Sequence, residues 1–192
     1  QEKKFDSIER FINNDLCFIA GSSWEADNTI FLKSILERNN LKTIIAPHNI
    51  VESEIKILEK QTQSLSVRYS KIDQDLDSSK KILIIDSVGS LKHLYKYTDI
   101  AYIGGGMGNS GLHNILEAAV FGIPIIIGRN YNGFYEAKEL VKLGGVKSVD
   151  SEAEFNRVFN NLLSNKTSRE EMGKVNKDYI YSNSGGSEKI IK

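Results

Sequence analysis

One cysteine, Cys17, is all the thiol chemistry in this chain. A single thiol rules out an internal disulfide framework and fits a reducing compartment. It falls inside the apolar run Leu16–Ala20, which reads as a packed core position rather than a nucleophile. Net charge is missing too, because 25 Lys and Arg offset 25 Asp and Glu. That removes any global electrostatic case for nucleic acid or an anionic membrane surface. No apolar stretch approaches the roughly 20 residues of a membrane span. The opening Gln1-Glu2-Lys3-Lys4-Phe5 does not read as a signal peptide and has no initiator methionine, so a piece of a longer chain is expected. No Gly-Lys-Ser/Thr follows the glycines, which excludes a P-loop, and there is no Gly-x-Ser-x-Gly elbow. His48, His93 and His113 stand at no metal-ligand spacing with carboxylates or cysteine, so no zinc site is expected; no cofactor is expected either.

The chain has 192 residues, 40% of them hydrophobic and 26% charged, enough for one soluble domain with a substantial core. Apolar runs alternate with helical patterns throughout. Strands are expected at Leu16–Gly21, Thr43–Pro47, Leu65–Tyr69, Ile82–Asp86, Ile100–Gly104, Ile123–Gly128 and near Val146–Val149. Helices are expected near Glu25–Arg38, Val51–Gln63, Leu91–Tyr97, Leu112–Phe121, Phe134–Leu143, Glu152–Leu163 and Arg169–Tyr181. Such alternation predicts an α/β fold, a doubly wound parallel sheet of Rossmann-like type with helices on both faces. Residues 1–14 read as a linker or returning helix, and residues 15–192 as the ligand-binding domain.

In an open sheet of this kind, ligands bind at the carboxyl ends of the strands. The unusual residues collect at such ends: Gly21-Ser22-Ser23-Trp24-Glu25, Pro47-His48-Asn49, Asp86-Ser87-Val88-Gly89, the run Gly104-Gly105-Gly106-Met107-Gly108, and Gly128-Arg129-Asn130. The glycine run follows the apolar Ile100–Ile103 and leads into Gly111-Leu112-His113-Asn114-Ile115-Leu116-Glu117. It reads as strand, glycine loop and helix start. The glycines either admit a ligand close to the backbone or serve tight packing. A helix beginning at Leu112 would offer free N–H groups and its positive dipole end to an anion. His113 and Glu117, four apart, would then share one helix face, with the imidazole by a phosphate and the carboxylate by ribose hydroxyls. An anion is expected between Ser22-Ser23 and that helix start. Val88 and the backbone at Gly89 would wall a flat base. The frame GGGMGNSG is no clean G-x-G-x-x-G and follows the fifth strand, so this is not a classical dinucleotide site.

These elements, in this order from Gly21 to about Val149, resemble the C-terminal donor-binding half of 3-deoxy-D-manno-octulosonic acid (Kdo) transferases. The matching residues are Gly21-Ser22-Ser23-Trp24-Glu25, Ala46-Pro47-His48, Asp86-Ser87-Val88-Gly89-Ser90-Leu91, Tyr97–Gly105, Gly111-Leu112-His113-Asn114-Ile115-Leu116-Glu117-Ala118 and Gly122-Ile123-Pro124-Ile125. The resemblance implies one half of a two-domain GT-B glycosyltransferase that transfers Kdo with inversion in lipopolysaccharide synthesis. This half would bind CMP-Kdo. The acceptor half, with its lipid A precursor and the catalytic carboxylate base, would lie outside the chain, leaving no catalytic residue here. Carried over, Ser22 and Ser23 meet phosphate or sugar, and His113 and Asn114 sit by the phosphate. Glu117 holds the ribose, and the loop with Ser87, Val88 and Gly89 holds cytosine. Gly21, Pro47, His48, Gly104 and Gly105 complete the donor rim. Where the family often has Pro-Arg-His, this chain has Ala46-Pro47-His48, so His48 or Arg129 would replace the expected arginine. Two alternatives are another GT-B donor half using a UDP-sugar, and a non-catalytic nucleotide or phosphosugar module. The resemblance also implies that the full-length protein works at the cytoplasmic face of the inner membrane, that this piece alone is soluble, and that nucleic acid is no partner.

Overall fold

The computed structural model describes residues 2–183. Seven strands form one fully parallel sheet: β1 (Leu16–Ser23), β2 (Leu41–Pro47), β3 (Ser66–Arg68), β4 (Ile82–Ile84), β5 (Ile100–Ile103), β6 (Ile125–Gly128) and β7 (Val146–Val149). Their spatial order is β3-β4-β2-β1-β5-β6-β7. The central strands are apolar on both faces, as burial between two helical layers requires. Every residue of β4, β5 and β6 is buried.

One layer holds α1 (Glu2–Ile12), α4 (Ile72–Asp75), α5 (Leu91–Leu94), α6 (Leu116–Ala119) and α7 (Tyr135–Leu143). It packs through Ile8, Phe11, Ile72, Leu94, Ala118 and Leu140 onto Ile19, Ile44 and Ile103. Cys17 belongs to this core, where burial pushes its thiol far up and makes it a poor nucleophile. The opposite layer holds α2 (Glu25–Leu36), α3 (Glu52–Thr62) and α8 (Glu152–Ser164), packed around Phe18, Phe31, Tyr102, Phe155 and Phe159. The last helix, α9 (Lys166–Asn183), sends Met172 to the second core and Tyr179 to the first. It is pinned by Asn176, which donates to the carbonyls of Ile123 and Gly145.

From β1 in the middle of the sheet the chain passes to β2 beside it, out to β3 at the edge and back to β4 between them, then crosses to build β5, β6 and β7 on the other side of β1. The direction of winding therefore reverses between β1 and β5, and the crevice at their carboxyl ends is the topological switch point where ligands bind in doubly wound sheets. Gly21–Ser23 and Gly104–Gly105 are the residues that meet there.

The structure corrects one element at this crevice. The helix expected over Leu112–Phe121 is only the single turn Leu116–Ala119. Residues 111–114 are irregular, because the chain must first return across the glycine loop, with the His113 N–H donating to the Gly104 carbonyl at 3.1 Å. His113 and Glu117 consequently do not share a helix face. One helical turn also carries too small a dipole to serve as the anion site expected of it.

Candidate functional site at the β1–β5 crevice

Strand β1 ends in a bulge. Gly21 pairs with Ala46 and Ser23 with Pro47, so Ser22 is the extra residue. Ser22 holds a left-handed backbone with φ 52°. A non-glycine residue there is strained by roughly 1–3 kcal/mol, and such strain collects at functional sites. The bulge also separates the two serines. Ser22 remains half-buried at the rim, whereas Ser23 is buried and lines a separate cleft between α2 and α3 with Trp24, Asn28 and Pro47. The Ser23 carbonyl accepts the His48 N–H at 2.9 Å, which locks the end of β2 against β1.

The glycines are required by backbone packing. A Cβ on Gly104 would stand 2.3 Å from the Ser22 carbonyl oxygen, and one on Gly105 would stand 2.0 Å from that of Gly111. Gly106 and Gly128 meet backbone to backbone in the same way. Gly21 carries no Cβ because Tyr95 packs there, the phenol oxygen 2.3 Å from where the Cβ would lie. Of the two readings of the glycine run, tight packing is thus visible directly. The loop is further laced to the end of β6, where Asn130 donates from its backbone to Gly106 and from its side chain to Gly108. Arg129 beside it is exposed.

A residue that sequence reasoning passed over holds this loop. Asp27 is completely buried. Its carboxylate accepts the N–H groups of Trp24 at 2.9 Å, Gly105 at 2.8 Å and Met107 at 3.3 Å, and the hydroxyl of Tyr102 at 2.8 Å. Four donors offset the desolvation of the charge. Burial and the neighbouring carboxylate together push the Tyr102 phenol well up. The sequence signal was the third helical position after the N-cap Trp24, where an acidic residue reaches back to the cap N–H in a capping box.

Three rings lie above this clasp. The Trp24 indole N–H donates to Nε2 of His113 at 3.2 Å, with the two ring planes within 16° of parallel and their centroids 6.5 Å apart. His48 lies against both, its centroid 4.2 Å from Trp24 and 4.4 Å from His113. Two histidines and a tryptophan from three different loops therefore form one aromatic stack, which includes the two histidines expected on the rim. His113 is half-buried, and its imidazole is held below the ordinary value by that burial first and by His48 second, with Asp27 and Glu117 pulling the other way.

Asn114 and Glu117 follow. The Asn114 side chain accepts the Leu116 N–H at 3.0 Å and so starts the short helix α6, while its amide stands 3.5 Å from the Glu117 carboxylate. Glu117 is exposed and makes no other hydrogen bond among the described residues. It acts electrostatically on Tyr95, the residue under Gly21, whose phenol is raised mainly by burial and then by this carboxylate. At the β4 end, Asp86 accepts the backbone N–H and hydroxyl of Ser70. The hydroxyls of Ser87 and Ser90 meet at 3.0 Å across the turn. Val88 at its tip is 89% exposed, and Gly89 has φ 84°. An apolar side chain held that far into solvent by a braced turn is available to a flat partner. Among the described residues no cluster of His, Cys, Asp and Glu is arranged to hold a metal.

A seven-stranded, fully parallel, doubly wound sheet with helices on both faces is the Rossmann-like fold of one half of the GT-B glycosyltransferases. Homologues of this chain include proteins named 3-deoxy-D-manno-octulosonic acid transferases, in keeping with its motifs. The transferase of Haemophilus influenzae is 29% identical over 98% of this chain and 46% of its own length. That of Aquifex aeolicus is 33% identical over 77% of this chain and 42% of its own. The chain thus spans less than half the length of these relatives. Among solved structures, the C-terminal CMP-Kdo binding domain of WaaA from Acinetobacter baumannii superposes with a TM-score of 0.76 at 19% identity, covering 93% of this chain and 96% of that one. No protein-family model matches the chain.

Proposed function

We propose that this chain is the donor-binding half of a Kdo transferase, and that it binds CMP-Kdo in the β1–β5 crevice. The observation that carries the reading is a division of labour between two carboxylates. Asp27, fully buried, satisfies the N–H groups of the glycine loop, so that task is already filled. Glu117, exposed a few residues beyond the loop, accepts only the Asn114 amide at 3.5 Å among the described residues, and its carboxylate can take the paired hydroxyls of a ribose. In this reading the base lies against Val88 and the backbone of Ser87 and Gly89, and the ribose against Glu117. The phosphate lies among Ser22, His48, His113 and Asn114 beside the backbone of Gly21, Gly104 and Gly105. Ser23 and Pro47 shape the rim from beneath, since both are buried.

The chemistry then asks this half only to hold the donor and to stabilise the departing CMP. The acceptor hydroxyl attacks the anomeric carbon from the opposite side, the bond to the phosphate oxygen breaks, and the charge developing on that phosphate faces the His113 imidazole. A second domain supplies the lipid A precursor, the base that takes the hydroxyl proton, and any contact with the inner membrane. Among the described residues no helix is long and apolar enough to cross a membrane. Incubating the chain with CMP-Kdo and a lipid A precursor tests the division. Binding without turnover is expected, and robust transfer by this chain alone would overturn it.

A further inference from the structure

The aromatic stack assigns a proton. The Trp24 indole can only donate, so Nε2 of His113, 3.2 Å away, must be the unprotonated acceptor. A neutral imidazole with Nε2 unprotonated carries its proton on Nδ1. The two ring planes are 16° from parallel with their centroids 6.5 Å apart, so the rings meet through the 3.2 Å N–H to N contact at their edges rather than through overlapping faces. His48 covers both rings and keeps the pair from rotating apart. Below them, Asp27 holds the Trp24 backbone N–H and thereby the entry of α2 from which the indole projects. The Nε2–Cδ2 edge of His113 faces Trp24 and Gly105, since Cδ2 is the atom a Gly105 Cβ would meet at 3.2 Å. Nδ1 is therefore on the far edge of the ring.

We propose that Trp24 is a positioning residue, fixing His113 as the neutral Nδ1–H tautomer so that Nδ1–H is what His113 offers to the donor phosphate. The second half of the statement rests on the donor-site reading above. The stack explains why an imidazole serves here without needing a full charge. His113 faces His48 on one side, Asp27 below, Glu117 beyond Asn114 and Glu136 across the cleft lined by Leu112 and Phe134. Its burial disfavours the imidazolium, and protonating Nε2 would turn the Trp24 hydrogen bond into a donor–donor clash. A neutral N–H donor gives the phosphate a contact whose strength changes little with pH above the histidine range.

Nitrogen-15 spectra of the ring nitrogens of His113 test this directly in the wild-type chain. The expected pattern is Nδ1 pyrrole-like and Nε2 pyridine-like at pH 8, and a majority Nε2–H form would overturn the assignment without any variant. Trp24→Phe keeps a ring beside His48 and the backbone N–H to Asp27, and removes only the indole donor. It should release His113 towards the Nε2–H form, move its titration upward, and weaken CMP binding at pH 8 by about tenfold, ~1.4 kcal/mol. An unchanged tautomer in Trp24→Phe, with a melting curve showing the fold intact, would overturn the positioning role. Unchanged CMP affinity alongside a switched tautomer would overturn the Nδ1–H presentation. A wild-type chain that shows the expected tautomer but binds no CMP would overturn the donor-site reading instead, so the two failures are distinguishable.

Discussion

The carboxylate of Asp27 accepts the backbone N–H of Gly105 at 2.8 Å, joining residues 78 positions apart in the chain. Trp24, Met107 and Tyr102 donate to the same side chain. One buried residue thus fixes the start of α2 against the glycine loop, and the site stands on that join. Asp27→Ala would strand three backbone N–H groups and a phenol without an acceptor. Each uncompensated group costs about 1–3 kcal/mol, so a loss of at least about 3 kcal/mol is expected in denaturant unfolding. Tyr102→Phe removes one donor and leaves the carboxylate satisfied by the other three, so its loss should stay near ~1 kcal/mol. An Asp27→Ala variant as stable as the wild type would show that the clasp is not what holds the loop.

Gly104 is expected to be intolerant of any side chain regardless of ligand. Its Cβ would enter the backbone of Ser22 and Ser23, at 2.3 and 2.6 Å, and backbone cannot move aside as a flexible side chain can. Gly104→Ala should lose about 3 kcal/mol of stability, at the upper end of overpacking costs. Gly133, where a Cβ meets nothing within 4 Å, is the control and should change by less than about 0.5 kcal/mol. Equal melting temperatures for the two variants would contradict this account of the loop.

Much of this was legible in the sequence. Continuous apolar runs such as Ile82-Leu83-Ile84 and Ile100-Ala101-Tyr102-Ile103 gave the parallel sheet and its order of strands and helices, because a strand covered on both faces has no polar positions to hide. The gathering of Gly, Ser, His and Asn at the strand ends was legible as well, and the stack of Trp24, His48 and His113 stands there. The length of α6 was not. Leu112, Ile115 and Ala118 are buried at helix-like spacing, yet the first of them sits in a return loop whose shape is set by the Gly104 carbonyl, a tertiary contact. Asp27 was hidden for a related reason. Its partners lie on β5 and the loop beyond, and nothing local marks a carboxylate for burial except the capping box. The pairing of Trp24 with His113, 89 residues away, is likewise a product of the switch point and not of any motif.

Acidification should weaken the fold through His113. In the folded chain its imidazole binds a proton less readily than in the unfolded chain, where the ordinary value of 6.5 applies. The unfolded state therefore takes up more protons between the lowered value and 6.5, and stability rises with pH across that window. The contribution is complete above pH 6.5 and is lost as pH falls through the lowered value. Unfolding curves from pH 8 to pH 5 should fall more steeply for the wild type than for His113→Gln, whose amide oxygen can still accept from Trp24. Parallel curves would mean that His113 titrates as it does in the unfolded chain.

The central claim is that the crevice binds a cytidine nucleotide with Glu117 on its ribose. Calorimetry of the chain with CMP and with UMP, repeated on Glu117→Ala with a melting curve for each protein, tests it most directly. The account predicts that CMP binds more tightly than UMP. It also predicts that Glu117→Ala weakens CMP by more than ~1 kcal/mol, since hydrogen bonds to a charged group contribute about 1.5–3 kcal/mol. The melting temperature should not move, because Glu117 is exposed and the loop amides belong to Asp27. UMP binding as tightly as CMP, or a Glu117→Ala variant that binds CMP unchanged while melting at a lower temperature, would contradict it.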